Sequence, residues 1–209
     1  MLTRLQRGLE HLYRIDTETS VEDFVIDDDL RRRIGVTRAP REQLLVSQDD
    51  GGVSIGLFVD QDALSNLDAN DPSRRLDHHN FGDFLLAVEG VSHFVYLTWR
   101  AQHDHRVTAL ELELQAEVDK YVTCLLVGDE AGDRSAALRR RLFEDFEYED
   151  GLDDDERERY RVANANAHRY SASLERRFVH TGRIADMLEE LRRFYRRPLD
   201  GKLDLIRAA

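Results

Sequence analysis

One stretch of the 209-residue sequence constrains the fold more than any other. At 100° per residue, residues 81–102 spread Phe84, Val88, Val91, Phe94, Val95, Leu97 and Trp99 over most of a helical circumference. One narrow polar stripe remains, made of Glu89, Ser92, His93, Tyr96 and Arg100. A helix apolar on nearly every side has to be surrounded, so this one belongs at the centre of its fold. A membrane span is excluded. The most apolar part, Phe84 to Trp99, is 16 residues long and carries Glu89 and His93, whereas a span needs ~20 apolar residues with few charges.

Residues 108–127 read as the partner of that helix. Leu110 to Leu114 alternates with glutamate as a strand would, but Leu, Glu, Gln, Ala and Lys are strong helix formers. Leu110, Leu114, Val118, Tyr121 and Leu125 then recur at helical spacing. The connection His103–Val107 is short, which makes the two helices antiparallel neighbours. Folding the chain about residue 105 sets His93 opposite Glu117, Arg100 opposite the Leu110–Glu113 turn, and Glu89 level with Tyr121.

This geometry gives the polar stripe two readings. In the structural one it is an internally satisfied network: Glu117 with Lys120, Arg100 with Glu111 or Glu113, Glu89 with His93 and Tyr121. Such pairing is expected because an unpaired buried polar group costs ~1–3 kcal/mol. In the functional one, Glu89 and His93 at i, i+4 and Glu113 and Glu117 at i, i+4 converge on a divalent ion. Glu89, His93, Tyr96 and Arg100 are then candidates for acid–base chemistry, with or without that metal. The two-helix Glu-x-x-His pattern of di-iron bundles is not met, because the spacing here is Glu-x-x-x-His and occurs once.

The N-terminal third supplies the β structure. Val53, Ile55, Leu57 and Val59 alternate, and Glu42–Gln48 precedes them across Asp49-Asp50-Gly51-Gly52, so residues 42–59 read as a hairpin whose turn glycines take positive φ. Gly56, on the opposite face, marks a close backbone approach or a bulge. Leu2, Leu5, Leu9 and Leu12 form the stripe of a docking helix. Residues 21–26 are ambiguous between helix and a third strand. Residues 66–80, with Pro72, read as loop, and further helices are expected at 134–147, 156–179 and 183–196, the last stopped by Pro198. The acid-dense segment 144–158 suits a helix N-terminus or a connector. The expectation is a single α+β domain, predominantly helical: a helix and hairpin region (1–65), central helices (66–147) and basic C-terminal helices (156–209), with a small antiparallel sheet packed on a bundle around a central helical hairpin.

Composition narrows function by exclusion. A lone cysteine, Cys124, rules out an internal disulfide and thiolate-held zinc or iron–sulfur sites, and points to a reducing cytoplasm. There is no nucleophile elbow, phosphate loop, dinucleotide fingerprint or His-Glu-x-x-His. The net charge of −12 is uneven: residues 156–209 hold 13 basic and 8 acidic groups, against 17 and 34 in the rest. The basic end is expected to dock on the acidic body. Arg192, Arg193, Arg196 and Arg197 then either complement a helix dipole or offer a surface to an anionic partner. The leading expectation is a non-catalytic interaction or regulatory module with protein partners, itself or another chain, and without membrane, nucleic acid or cofactor. The alternatives are an enzyme built on Glu89, His93, Glu113 and Glu117, with a divalent metal where it uses one, and nucleic-acid binding through the basic helices.

Overall fold

In the computed structural model, residues 1–36, 40–49, 52–127, 131–145 and 151–208 are described. Helix α1 (Leu2–Tyr13) buries Leu2, Leu5, Leu9 and Leu12, the four residues of its apolar stripe, and ends at Arg14 in the left-handed region. The segment read as ambiguous is a 3₁₀ turn (Val21–Phe24) followed by a single parallel bridge from Val25 to Leu57, with the Ile26 N–H donating to the Leu57 carbonyl at 2.9 Å. Helix α2 (Asp28–Arg33) is capped by the Asp27 carboxylate. Strands β1 (Glu42–Asp49) and β2 (Gly52–Val59) pair antiparallel, in a register running from Glu42↔Val59 to Asp49↔Gly52. Gly51, one of the two glycines on which the turn conformation was argued, lies with Asp50 outside the described residues. Leu57 and Val59 are buried and Ile55 half-buried, so the alternating face is the core face. At Gly56 a Cβ would sit 3.2 Å from Ile26, which is the close approach its position implied.

Helix α3 (Gln61–Ala69) takes the first residues of the segment read as loop. It buries only Ala63 and Leu67, too few positions to show a period, and it is set by Asp60, whose carboxylate accepts from the Asp62 and Ala63 N–H groups. Helices α4 (Phe81–Gln102) and α5 (Ala109–Val127) form the expected central pair. Helix α6 (Ala131–Phe143) starts and ends a few residues earlier than expected. Helix α7 (Asp154–Leu174) opens on a capping box between Asp153 and Glu156, so part of the acidic segment is a helix start. It gives way to a π-helical turn (Glu175–Val179), where the His180 N–H reaches back to Glu175, and is therefore not one uniform helix to 179. Helix α8 (Ile184–Tyr195) follows, then α9 (Leu199–Ala208), which the sequence reading missed. Pro198 ends one helix but also begins the next: its carbonyl accepts from the Lys202 N–H, and a missing proline N–H costs nothing in a first turn.

The arrangement is α+β and predominantly helical, with a two-stranded antiparallel sheet in the N-terminal part packed on helices. Helix α4 is the hub: α1, α3, α5 and both strands pack on it, and α5 lies between α4 and α7. Phe84, Val88, Val91, Phe94 and Val95 of α4 join Leu114, Val118, Tyr121 and Val122 of α5 in one continuous core. Among the described residues no helix is long and apolar enough to cross a membrane. The C-terminal arginines are largely used internally. Arg192 donates to the Leu12 carbonyl at 2.8 Å and Arg196 to those of Tyr13 and Arg14, so both serve the carbonyl end of α1. Arg193 pairs with Glu190, and Arg197 packs beside Gly201.

Two outcomes test this packing. Leu57→Asp places a charge without a partner against α4, and chemical denaturation is expected to show a loss of several kcal/mol. Lys202 on α9 is fully buried; its Nζ donates to Gln115 Oε1 at 2.6 Å and lies 4.1 Å from the centre of the Tyr96 ring. Burial pulls this ammonium down to about 7, against the opposing pull of Glu111 and Asp119. Above that pH the unfolded chain binds a proton that the folded one has lost, so the lysine's contribution to stability rises with pH. Between pH 7 and about 8, below the ordinary range of cysteine and tyrosine, stability is expected to climb faster in the native protein than in Lys202→Met. The difference in slope is bounded by ~1.4 kcal/mol per pH unit. Parallel pH profiles would show that Lys202 is not buried in this way.

Candidate functional site

The polar stripe of α4 is the seam with α5. The Lys120 ammonium donates to Glu89 at 3.1 Å, Ser92 Oγ donates to Asp119 at 2.6 Å, and the Tyr96 hydroxyl donates to Glu111 at 2.5 Å. Arg100 lies 3.6 Å from the same Glu111. The antiparallel register therefore matches the expectation, apart from two contacts. Glu89 meets Lys120 rather than Tyr121, whose buried hydroxyl has no hydrogen-bond partner. His93 faces Glu113 (Nε2 to Oε2, 3.4 Å), one turn before Glu117. The cause is local: Lys120 already holds Glu117 at 2.5 Å and Glu89 at 3.1 Å, which leaves Glu113 as the carboxylate free to approach the imidazole.

The residue that sequence reasoning missed is Glu42. It is the first residue of β1, and its Oε1 lies 3.6 Å from Nδ1 of His93. Its place is made by Gly90, one residue from Glu89 in the middle of α4. A Cβ at 90 would sit 3.0 Å from Glu42 Cγ, 3.1 Å from its Oε1 and 3.1 Å from Leu57. A mid-helix glycine costs ~1 kcal/mol against alanine. Here it admits a carboxylate to the heart of the helix surface, and it was the one signal in the sequence for that contact.

Glu42, Glu89, His93, Glu113, Glu117 and Lys120 line a cavity of about 360 Å³, which Leu44 of β1, Leu86, Leu112 and Leu152, and Arg159 and Asn164 of α7 wall in. One ligand atom each from Glu89, His93 and Glu113 lies within 4.8 Å of the other two. His93 is only 6% exposed, and its Nε2 is buried with no aligned hydrogen bond, as is Glu42 Oε1. Burial alone would lower the His93 pKa, but the flanking Glu113 and Glu42 outweigh it and favour the imidazolium. Burial pushes the Glu42 carboxyl up to about 7 against the pull of His93. Glu117 is also raised by burial, whereas Lys120 and His93 hold Glu89 below its ordinary value. Burial thus disfavours the charged form of two carboxylates here, Glu42 and Glu117, which a cation at this spot would counter.

The other candidates fall away from the cavity. Tyr96 and Arg100 are buried on Glu111 and do not line it. Asp77, His78 and His79 bring three ligand atoms together at the exposed entry to α4, but there Asp77 pairs with Arg75 and caps the His79 N–H. His103 Nδ1 lies 2.8 Å from the Trp99 carbonyl, as part of the turn. Cys124 is buried, and burial pushes its thiol up to about 12, so it packs as a small hydrophobe. Comparison with protein-family models, with curated proteins and with solved structures finds no match to this chain.

The role of Gly90 gives a prediction of sign. By helix propensity alone Gly90→Ala should stabilise by ~1 kcal/mol. It is expected instead to destabilise by ~1–3 kcal/mol, because the new methyl drives Glu42 and Leu57 outward from well-packed positions. In a Glu42→Ala background the penalty should shrink. A plain gain in stability on thermal unfolding would mean that Glu42 does not need the space.

Proposed function

We propose that this protein is a divalent-metal-dependent enzyme acting on a small molecule in the cavity between α4, α5, β1 and α7. Glu89, Glu113 and Nε2 of His93 are the ligands, and Glu42 stands behind the imidazole at Nδ1. The observation that carries this reading is the buried Nε2 of His93, 3.4 Å from Glu113 but without an aligned hydrogen bond, in a group whose three ligand atoms lie within 4.8 Å of one another. With metal–ligand bonds of ~2.1 Å, adjacent ligands are ~3 Å apart and opposed ligands ~4.2 Å apart, so small side-chain rotations close the site. A carboxylate on the far nitrogen of a ligating histidine is the usual device for fixing its tautomer and ring direction, and Glu42 is positioned for it. One imidazole with carboxylates suits Mn²⁺, Fe²⁺ or Zn²⁺. Three protein ligands leave a position open to the cavity for water or substrate.

This reading now stands ahead of the non-catalytic interaction module. Among the described residues the large apolar side chains that stay exposed are four, Val25, Ile34, Val46 and Leu126. Nucleic-acid binding ranks last, since Arg192, Arg193 and Arg196 already serve carbonyls and carboxylates of this chain. A cytoplasmic location belongs to the same proposal and is supported by the single reduced cysteine.

The test is metal uptake. Elemental analysis after incubation with Mn²⁺, Fe²⁺ or Zn²⁺ is expected to find one ion per chain, lost in His93→Ala and in Glu113→Ala. Saturating ion should raise the native unfolding free energy by ~2.7 kcal/mol at a hundredfold excess over Kd and leave the two variants unmoved. Failure to take up any of these ions, or uptake indifferent to both substitutions, would remove the proposal.

A further inference from the structure

The cavity has a second polar wall, which the metal site does not use. Arg159 on α7 lines the cavity, and its side chain is 27% exposed. Its Nε is buried with no hydrogen-bond partner. Its ion-pair neighbours are both long: Glu113 Oε1 at 3.9 Å and Glu156 Oε1 at 4.0 Å. Glu156 is engaged at the start of α7, where its carboxylate accepts from the Asp153 N–H. The guanidinium is thus a permanent cation with a fork of donors, held beside the cavity with no carboxylate of the described residues closer than 3.9 Å. Gln43 repeats the pattern on the β1 side, where its Oε1 is buried and unpartnered.

The position of Arg159 relative to the ligand cluster gives this wall a meaning. Oxygen Oε2 of Glu113 faces His93, and Oε1 faces Arg159. The two sites share one carboxylate, so a group bound at the open metal position lies within reach of the guanidinium. Charge points the same way. Without an ion, the carboxylates Glu42, Glu89, Glu113, Glu117 and Glu156 that line the cavity outnumber Lys120, Arg159 and His93, which disfavours an anion. A dication reduces that excess, and the cation beside it with the longest ion pairs is Arg159. On the other side Leu44, Leu86, Leu112 and Leu152 offer an apolar wall. A volume of about 360 Å³ lies at the small end of ligand cavities.

We infer that the substrate is a small organic oxyanion, a carboxylate or phosphate ester with an apolar body, whose charged head bridges the bound cation and Arg159 while its body lies on the leucine wall. Arg159 binds and orients this head group: a planar fork matches two oxygens of a carboxylate or phosphate. The inference rests on the metal reading above. It adds an order of events, in which the cation lowers the negative charge of the cavity before the anion binds.

Hexanoate, phenyl phosphate and inorganic phosphate serve as probes on Mn²⁺-loaded protein, followed by calorimetry and by water-proton relaxation. Hexanoate or phenyl phosphate is expected to bind at millimolar concentration or better, to displace ion-bound water and so lower the relaxation enhancement, and to ignore the metal-free protein. The relative affinity of the two separates a carboxylate from a phosphate head. Inorganic phosphate, which lacks the apolar body, should bind more weakly than phenyl phosphate. Arg159→Gln should weaken the better probe by about tenfold to a hundredfold, the worth of a charge-assisted pair. Arg159→Lys should restore part of it, and Mn²⁺ uptake should be unchanged in both. Normal Mn²⁺ uptake with no anion binding, or with binding equal in the native protein and Arg159→Gln, overturns this inference and leaves the metal site standing. Equal binding to metal-free protein overturns the bridging geometry. No Mn²⁺ uptake overturns both readings.

Discussion

Buried charge has to be paired, and in this protein that requirement acts on the most apolar helix of the chain. Apolar contacts alone would let α4 rotate or slide against α5, since such contacts are non-directional. The pairs Glu89–Lys120, Ser92–Asp119, Tyr96–Glu111 and Arg100–Glu111 allow no such freedom. Sliding by one turn would strand several polar groups in a low-dielectric interior, each costing ~1–3 kcal/mol or more. The seam therefore fixes the register of the central pair. The elements that pack on α4 and α5 inherit their positions from it, including β1 with Glu42 and α7 with Arg159.

How much of this could be read in advance depends on how far each signal travels along the chain. The central helices were legible because their evidence is local and periodic, and a short connection makes them antiparallel neighbours, with the register still free to slip by a turn. The His93 partner was missed by one turn because that choice depends on Lys120, which occupies Glu117 and Glu89 together. Glu42 was illegible: a glutamate beginning a strand looks like any solvated residue, and 47 positions separate it from Gly90 in the next partnered element. Helix α9 was lost to a proline read only as a stop, although its Leu203 and Ile206 recur at helical spacing and its Lys202 faces inward. Burial of a lysine is a tertiary fact that no local pattern announces.

The charge asymmetry between the basic C-terminal quarter and the acidic remainder has a physical outlet in the same packing. Arg192 and Arg196 end on carbonyls of α1, and Lys202 enters the core under Tyr96, beside Gln115 and near Asp119. The C-terminal helices thus contribute cations to places where the preceding chain has unsatisfied oxygens. Those three cations serve the closure of the fold rather than a display of charge.

One stretch of the seam carries more than the helical pair needs. From Ser92 to Arg100 each stripe residue has a partner in α5 at hydrogen-bond or ion-pair distance, and His93, already 3.4 Å from Glu113, is flanked in addition by Glu42 of β1. At His93 the chain accepts a mid-helix glycine, a carboxylate brought from a strand and an imidazole nitrogen without an aligned bond, all facing a cavity. Each of these is a cost that an apolar substitution would avoid, and they occur together within one turn of α4. Chains are locally consistent except where something other than stability has set the residues. That these features coincide with the cavity, and with three ligand atoms within 4.8 Å of one another, is what the proposal of a metal site at His93 rests on.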